Sequence, residues 1–383
     1  MTIEKVNDAF RRNFGTGGNL YASPGRVNLI GEHTDYNLGF VLPGAIRQAI
    51  YARIKPNGGT LCRIYSVDYD ENVEFDVAAS ELPVQQWARY VYGVVHEVRK
   101  LGKSVAGFDC AFGGDVPLGA GLSSSAAFES VIGYGLNDLF GLGLSRLQLA
   151  KAGQMTEHNY IGVRCGIMDQ FASLFGEKDR LIRLDCRSLE YRLEPFRPEG
   201  YRVLLLDTQV KHSLASSQYN VRREQCEAGV TIIRRHVPEV ESLRDVTPEM
   251  LETYRGKMED AVYRRCHYIV GENGRLLKAC EALERGDYET FGRQMFGSHE
   301  GLSREYEVSC AELDFLAGEA AKHSGVLGAR MMGGGFGGCT INLVREAEYE
   351  NLVGELSEKY AARFGKAPRV IDVVIGDGAR RVE

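Results

Sequence analysis

A glycine turn that runs straight into three serines, PLGAGLSSSAAFES from Pro117 to Ser130, constrains this chain more than any other stretch. Glycine reaches positive φ without steric cost, so Gly119 and Gly121 let the backbone close around a small group. The first N–H groups of a helix have no partner inside it, and the helix dipole turns its positive end towards whatever lies there. A turn delivered in this way to a helix start is suited to receive an anion. No lysine stands in the run, so it cannot be written as the G-x-x-x-x-G-K-[ST] loop. A phosphate held here would be held by backbone amides and hydroxyls. The same run also suits a serine-capped helix behind a tight turn, which needs no ligand.

Two further segments bear on that choice. SPGRVNLIGEHTDYNLGFVLPGA, from Ser23 to Ala45, sets Arg26, Glu32, His33, Asp35, Tyr36 and Asn37 around a short apolar stretch, Val27 to Ile30. The pattern predicts a strand and then a polar, glycine-broken turn that can aim several side chains into one cavity. A polyol needs such a lining, because each hydroxyl both donates and accepts and the wrong epimer leaves groups unpaired. A solvated charged loop would have the same composition. The third segment is GARMMGGGFGGCTINLV, from Gly328 to Val344, in which Gly333, Gly335 and Gly338 formally match G-x-G-x-x-G. A dinucleotide site needs a helix after the glycines, and Cys339 to Val344 reads as a strand instead. Five glycines in six positions still form a loop that can lie against a ligand or against another glycine loop.

At 383 residues, with 44% hydrophobic and 26% charged residues, the chain is expected to form two soluble globular domains. MTIEKVNDAFRRNFG reads as an amphipathic helix rather than a signal peptide, and no apolar run reaches the length of a membrane span, so a cytoplasmic protein without a membrane partner is expected. Nine scattered cysteines with no C-x-x-C pair argue against a zinc site and a disulfide framework, and are expected to be reduced, mostly buried thiols. A net charge of −6 removes a general electrostatic case for nucleic acid. Arg222, Arg223, Arg234 and Arg235 are expected on solvated helix faces and in ion pairs. Patterning predicts helices over residues 3–14, 87–100 and from the serine triplet to about 140. It predicts β structure from 21 to about 75, strands at 108–112, 201–207 and 339–344, and mainly helix from 215 to 285. The expected class is α+β, with mixed sheets and helices, divided near residue 178 into 1–178 and 179–383.

In this order, the three segments resemble the GHMP family of small-molecule kinases, and GRVNLIGEHTDYN from Gly25 is similar to the galactokinase signature within it. CGIMDQFASLFG (165–176), KHSLASSQYNVRREQCE (211–227) and SHEGLSREYEVSCAELD (298–314) are similar to segments of the same family, so the likeness runs from about residue 20 to about 345. It implies a two-domain fold with the active site in the interdomain cleft. It further implies ATP-dependent phosphorylation of the C1 hydroxyl of α-D-galactose, the first step of the Leloir pathway, by a monomer.

The site residues follow from the resemblance, position by position. Asp169 in CGIMDQ would be the base facing the sugar hydroxyl, and Arg26 would hold that carboxylate ionised and steady the transferring phosphoryl group. Glu32, His33, Asp35, Gly166, Asp169 and Tyr219 would bind the sugar. Pro117, Gly119, Ala120, Gly121, Leu122, Ser123, Ser124 and Ser125 would bind the ATP phosphates, and Trp87, the single tryptophan, would stack on adenine. Ser125 and Glu157 would supply hard oxygens to Mg²⁺. His158 beside Glu157 lacks a second soft ligand at useful spacing for zinc. Lys211 stands where some relatives carry arginine, and Gly162 to Arg164 replace a less charged stretch. An acceptor such as N-acetylgalactosamine or another polyol, and a sugar sensor without turnover, are the alternative readings; no lesion at Arg26, Ser125 or Asp169 favours the sensor.

Overall fold

The computed structural model describes residues 2–210 and 215–383. The amphipathic start forms α1 (Thr2–Phe14), and its apolar stripe of Val6, Ala9 and Phe10 is buried. Next come β1 (Asn19–Asn28), β2 (Phe40–Val41), β3 (Pro43–Pro56), β4 (Leu61–Ser66) and β5 (Glu71–Asp76). After α2 (Gln86–Lys100) and β6 (Phe108–Gly114), the chain enters α3 (Ser124–Leu139), α4 (Arg146–Thr156) and α5 (Met168–Phe175). β1 pairs antiparallel with β3, β3 antiparallel with β6, and β6 parallel with β4, so the sheet is mixed. β1 is buried at every position after the first, as expected of a strand covered on both faces. Phe10 of α1 packs with Tyr65 and Ala111 on one face, while Ile64, Cys110 and Phe112 face the main core beneath α2 and α3.

β7 (Arg180–Asp185) and β8 (Tyr191–Pro195) form a small antiparallel sheet with β2, so residues beyond 178 pair back onto residues 40–41. β9 (Tyr201–Asp207) leads into a helical stretch: α6 (Ala215–Arg234), α7 (Pro248–Tyr254), α8 (Asp260–Glu284), α9 (Tyr288–Arg304) and α10 (Ala311–Ala320). β10 (Val326–Met331), β11 (Cys339–Arg345), α11 (Tyr349–Phe364) and β12 (Arg369–Asp372) complete a four-stranded antiparallel sheet in the order β10-β11-β9-β12. The final strand, β13 (Arg380–Arg381), returns to the N-terminal sheet and pairs with β1. The protein is α+β with mixed sheets, and the predicted elements lie within a residue or two of their expected limits.

All nine cysteines are free, seven of them buried. Among the described residues no helix is long and apolar enough to cross a membrane.

A candidate active site where two glycine loops meet

Beyond the end of β1 the chain enters the polar turn that the sequence predicts. His33 adopts φ +63, and a short 3₁₀ turn over Asp35–Asn37 follows, which spreads the side chains that an extended strand would have alternated between faces. Arg26, Glu32, His33, Asp35, Cys165, Gly166, Met168, Asp169, Tyr219, Gly333 and Gly334 line one narrow cavity. Every residue expected to bind sugar is therefore brought together in one cavity.

Asp169 sits in the first turn of α5 and accepts two parallel hydrogen bonds from Arg26, from Nε at 2.8 Å and from Nη2 at 2.9 Å. This bidentate geometry fixes the carboxylate in rotation as well as position. Arg26 is buried; burial disfavours its charge, but Asp169, Glu32 and Asp35 more than offset that and raise its pKa above the ordinary value. The remaining nitrogen, Nη1, donates to the carbonyl of Gly121 at 2.5 Å, and the Arg26 amide donates to the carbonyl of Leu122 at 3.0 Å. The Ser123 hydroxyl donates to the same Asp169 carboxylate. The Asp169 carboxylate and the glycine turn are thus held by one arginine.

The turn itself has Gly119, Gly121 and Ser123 at positive φ, and α3 begins at Ser124. Ala120 and Leu122 point into the core, while Gly119 is exposed and Pro117, Gly121 and Ser123 to Ser125 are partly exposed. The second glycine loop lies on it. A Cβ on Gly121 would sit 3.1 Å from the Met332 carbonyl oxygen, so only glycine at 121 permits this approach at φ +77. In the formal G-x-G-x-x-G, the glycines join two antiparallel strands and open no helix.

Burial shapes the electrostatics of the turn that carries His33 and Asp35. Asp35 is pushed up to about 7 by burial and by the charges of Asp169 and Glu32, against the pull of the Tyr36 and Met168 amides. Gly166 makes room for it, since a Cβ there would fall 2.0 Å from Asp35 Oδ2. His33 is pushed down to about 3, by burial first and then by Arg222 and Arg330, so its imidazole is neutral. Its Nε2 is buried and has no partner, while Nδ1 lies 2.8 Å from the Tyr36 hydroxyl. The Tyr219 ring packs on both His33 and Tyr36 with centroids 5.2 Å away.

Glu157 follows α4 in a single π-helical turn and is buried against the Ser125 hydroxyl, which hydrogen-bonds to it. Burial and the charge of Asp169 push its carboxyl up to about 7. No cation pairs with Glu157 among the described residues, and none of them form a cluster of three or more metal-ligating side chains. Two hard oxygens in a negative field suit Mg²⁺, which keeps waters in its shell. His158 instead places Nε2 2.8 Å from the Cys165 carbonyl.

Trp87 does not line this cavity. Its indole N–H donates to Glu71 at 2.9 Å, and its ring lies parallel to the exposed Tyr69, 7° between planes, and beside Phe112, which stacks on Phe128 of α3. Lys211 lies outside the described residues.

Sequence reasoning missed Arg330. This arginine is fully buried at the end of β10, where it donates to the carbonyls of Asn28, Leu29 and Met331 and, through two nitrogens at 3.2 Å, to Glu32. Gly333 donates to the same Glu32 oxygen at 2.8 Å. A lone charge inside an otherwise apolar strand was the available signal. Glu272 of α8, which accepts from the Gly31 amide, was equally silent. The expectation for Arg222 is corrected: it is buried rather than solvated, because its guanidinium caps the carbonyls of Tyr306 and Glu307 at the end of α9. Arg223 pairs with Glu227 as expected.

Known proteins are similar to this chain in sequence and fold. Residues 8–56 match the galactokinase galactose-binding signature, 89–177 the GHMP kinases N terminal domain and 279–362 the GHMP kinases C terminal family. A galactokinase of Thermotoga neapolitana is 40% identical over 360 residues, spanning 94% of this chain and 99% of its own. One from Clostridium acetobutylicum is 39% identical over 387 residues, spanning 100% of this chain and 98% of its own. The crystal structure of Lactococcus lactis galactokinase complexed with galactose superposes with a TM-score of 0.96 and 33% identity across 100% of both chains.

Proposed function

Because the chain belongs to the GHMP kinases and, among them, to the galactokinases, we infer that it transfers a phosphoryl group from ATP to the C1 hydroxyl of α-D-galactose, giving galactose 1-phosphate and ADP, the first step of the Leloir pathway. The observation that carries this reading is the single cavity in which an arginine-clamped aspartate meets the sugar turn beside a lysine-free glycine loop.

In this reading Asp169 receives the proton of the sugar hydroxyl as that oxygen attacks. A carboxylate clamped by Arg26 is a modest base, so its larger contribution is to orient the hydroxyl and to offer charge where charge develops. Arg26 also ties the base to the loop that carries the phosphates, which keeps attacking and accepting groups in register. The amides of Gly119 to Ser125 and the serine hydroxyls hold the phosphates, and Tyr69 and Trp87 offer the aromatic face for adenine. Ser125 and Glu157 would hold Mg²⁺, which supplies charge neutralisation to the phosphates. Glu32, His33, Asp35 and the Gly166 backbone read the hexose hydroxyls, and Tyr219 closes over them. The two halves, divided near 178, form the walls of the cleft, and the enzyme works as a cytoplasmic monomer without nucleic acid or membrane partners.

Coupled ADP release against galactose, N-acetylgalactosamine, glucose, arabinose and mevalonate tests the assignment. Galactose should be turned over fastest. Faster turnover of glucose or mevalonate would refute the acceptor.

A further inference from the structure

Ser123 holds a backbone conformation that nothing local asks of a serine. It stands at φ +56 and ψ +52, in the left-handed region, immediately before α3. A serine that caps a helix is ordinarily extended at this position, and its side-chain oxygen accepts from one of the first helical amides. Ser123 makes no such bond, so its side chain leaves the first amides of α3 uncovered. Left-handed backbone is strained at a residue with a Cβ. Glycine would take it without strain, as Gly119 and Gly121 take positive φ in the same turn. What a glycine at 123 could not supply is the hydroxyl, and that hydroxyl donates to Oδ2 of Asp169.

The bonds on Asp169 are unevenly shared between its two oxygens. Oδ2 accepts from Arg26 Nη2 at 2.9 Å and from Ser123 Oγ. Oδ1 accepts from Arg26 Nε at 2.8 Å and, among the described residues, from no other donor. A carboxylate offers about four lone-pair sites, two to each oxygen, so Oδ2 is filled and Oδ1 keeps one open. Asp169 lines the cavity and its side chain is partly exposed there. A hydroxyl that passes its proton to this carboxylate therefore finds Oδ1. The serine triplet is divided in the same way at its other end, where the Ser125 hydroxyl bonds to Glu157.

We propose that Ser123 is a positioning residue for Asp169: its hydroxyl fills Oδ2, assigns the sugar proton to Oδ1 and takes no part in holding phosphate. This rests on the reading that the cavity holds galactose beside ATP, and it narrows that reading at one residue. The Ser123 amide stays with the phosphates and its hydroxyl does not. In the transfer, the O–H bond at C1 breaks while that oxygen forms a bond to the γ-phosphorus. The proton goes to Oδ1, and the electron pair of the breaking bond at the γ-phosphorus leaves with ADP. Arg26 spans both oxygens and Ser123 holds one, so the two oxygens cannot exchange places by rotation of the carboxylate.

Steady-state kinetics of Ser123→Ala and Ser123→Gly, each alone and combined with Asp169→Asn, test this. Both single variants should lose kcat about tenfold while the KM for ATP stays within about twofold of wild type. Ser123→Gly should melt at a higher temperature than Ser123→Ala, because glycine takes the left-handed backbone freely, and yet be as slow; it also serves if Ser123→Ala does not fold. In the Asp169→Asn background neither change at 123 should lower kcat further, since the hydroxyl acts only through that carboxylate. A crystal structure of wild type with galactose should place the C1 hydroxyl against Oδ1. A raised KM for ATP with unchanged kcat would make Ser123 a phosphate ligand and overturn the proposal. So would losses that multiply in the double variants, a Ser123→Gly enzyme as fast as wild type, or a C1 hydroxyl seated on Oδ2. Failure of the galactose reading is separate: wild type would not turn galactose over, and the same variants would be compared on the alcohol that it does phosphorylate.

Discussion

Asp169 holds three hydrogen bonds on two oxygens, and those bonds set what its removal should do. Asp169→Asn keeps the size of the side chain but puts an amide against the Arg26 guanidinium and cannot take a proton from the sugar. We expect kcat to fall by about 10² to 10⁴, read by ADP release, and a rate equal to wild type would remove Asp169 as the base. Asp35 makes a second residue-scale prediction. Its carboxyl is held at about 7 in the folded chain against an ordinary 3.8, so the folded state binds this proton more tightly than the unfolded state. The Asp35 contribution to stability is therefore full below the ordinary value, is lost as pH rises towards about 7, and is flat above it. Urea denaturation between pH 4 and pH 8 should give a downward slope that Asp35→Asn reduces, a difference on the order of a few kcal/mol at most. Equal slopes in the two proteins would refute it. The cavity-lining Glu32, His33 and Asp35 were legible in the sequence because one short turn carries them. Arg330 was not, because its role depends on Glu32, 298 positions away, and on carbonyls that no side-chain pattern records.

At the scale of elements, the site is where β10 and the two glycine loops converge on the end of β1. Glycine turns and the start of α3 could be read from sequence, since positive φ and unpaired helix amides are local properties. That one loop lies on the other could be entertained but not placed, because backbone against backbone leaves no hydrophobic period to read. The contact at 121 predicts its own failure. Gly121→Ala would put a Cβ 3.1 Å from the Met332 oxygen at φ +77, costing roughly 1–3 kcal/mol of stability. The same change shifts the carbonyl that Arg26 grips, so the KM for ATP should rise as well; an unchanged KM in titrations of ATP would separate the loop from nucleotide binding. The strand end makes a different prediction. Arg330→Met leaves the buried Glu32 without its hydrogen-bonded counter-charge and should cost about 3–5 kcal/mol in urea denaturation. Adding Glu32→Gln should restore much of that stability while leaving galactose binding impaired, which distinguishes the structural share of the pair from its share in recognition. Full recovery of binding in the double variant would show that Glu32 reads no hydroxyl.

Across the whole molecule, the least legible feature was the tail. Residues after Val344 carry no motif, and two residues of strand at Arg380–Arg381 are too few for any periodicity to announce. Their partners are in β1, some 360 positions earlier, a pairing set by tertiary closure alone. Yet the tail binds the sheet that leads into the His33 turn to the helix that carries Asp169. Gly378 and Ala379 donate to the carbonyls of Gly176 and Ser173 at 2.8 Å, at the far end of α5, and Val382 donates to Leu20 at 2.7 Å. Arg381 adds a bond to Asn19, and the Glu383 carboxylate pairs with Arg53. Each backbone bond contributes about 0.5–1.5 kcal/mol net, so removal of residues 378–383 should destabilise the protein on the order of 3 kcal/mol. The effect should reach the site along one route. α5 carries Asp169 in its first turn and the tail clamps its last, so a loosened α5 should lower kcat before it alters the KM for galactose, whose readers lie mainly on the β1 turn. Thermal melting and steady-state kinetics of the truncated chain measure both. Unchanged stability would show that the β1 edge needs no covering, and a rise in the galactose KM without loss of kcat would show that the tail acts through β1 instead of through α5.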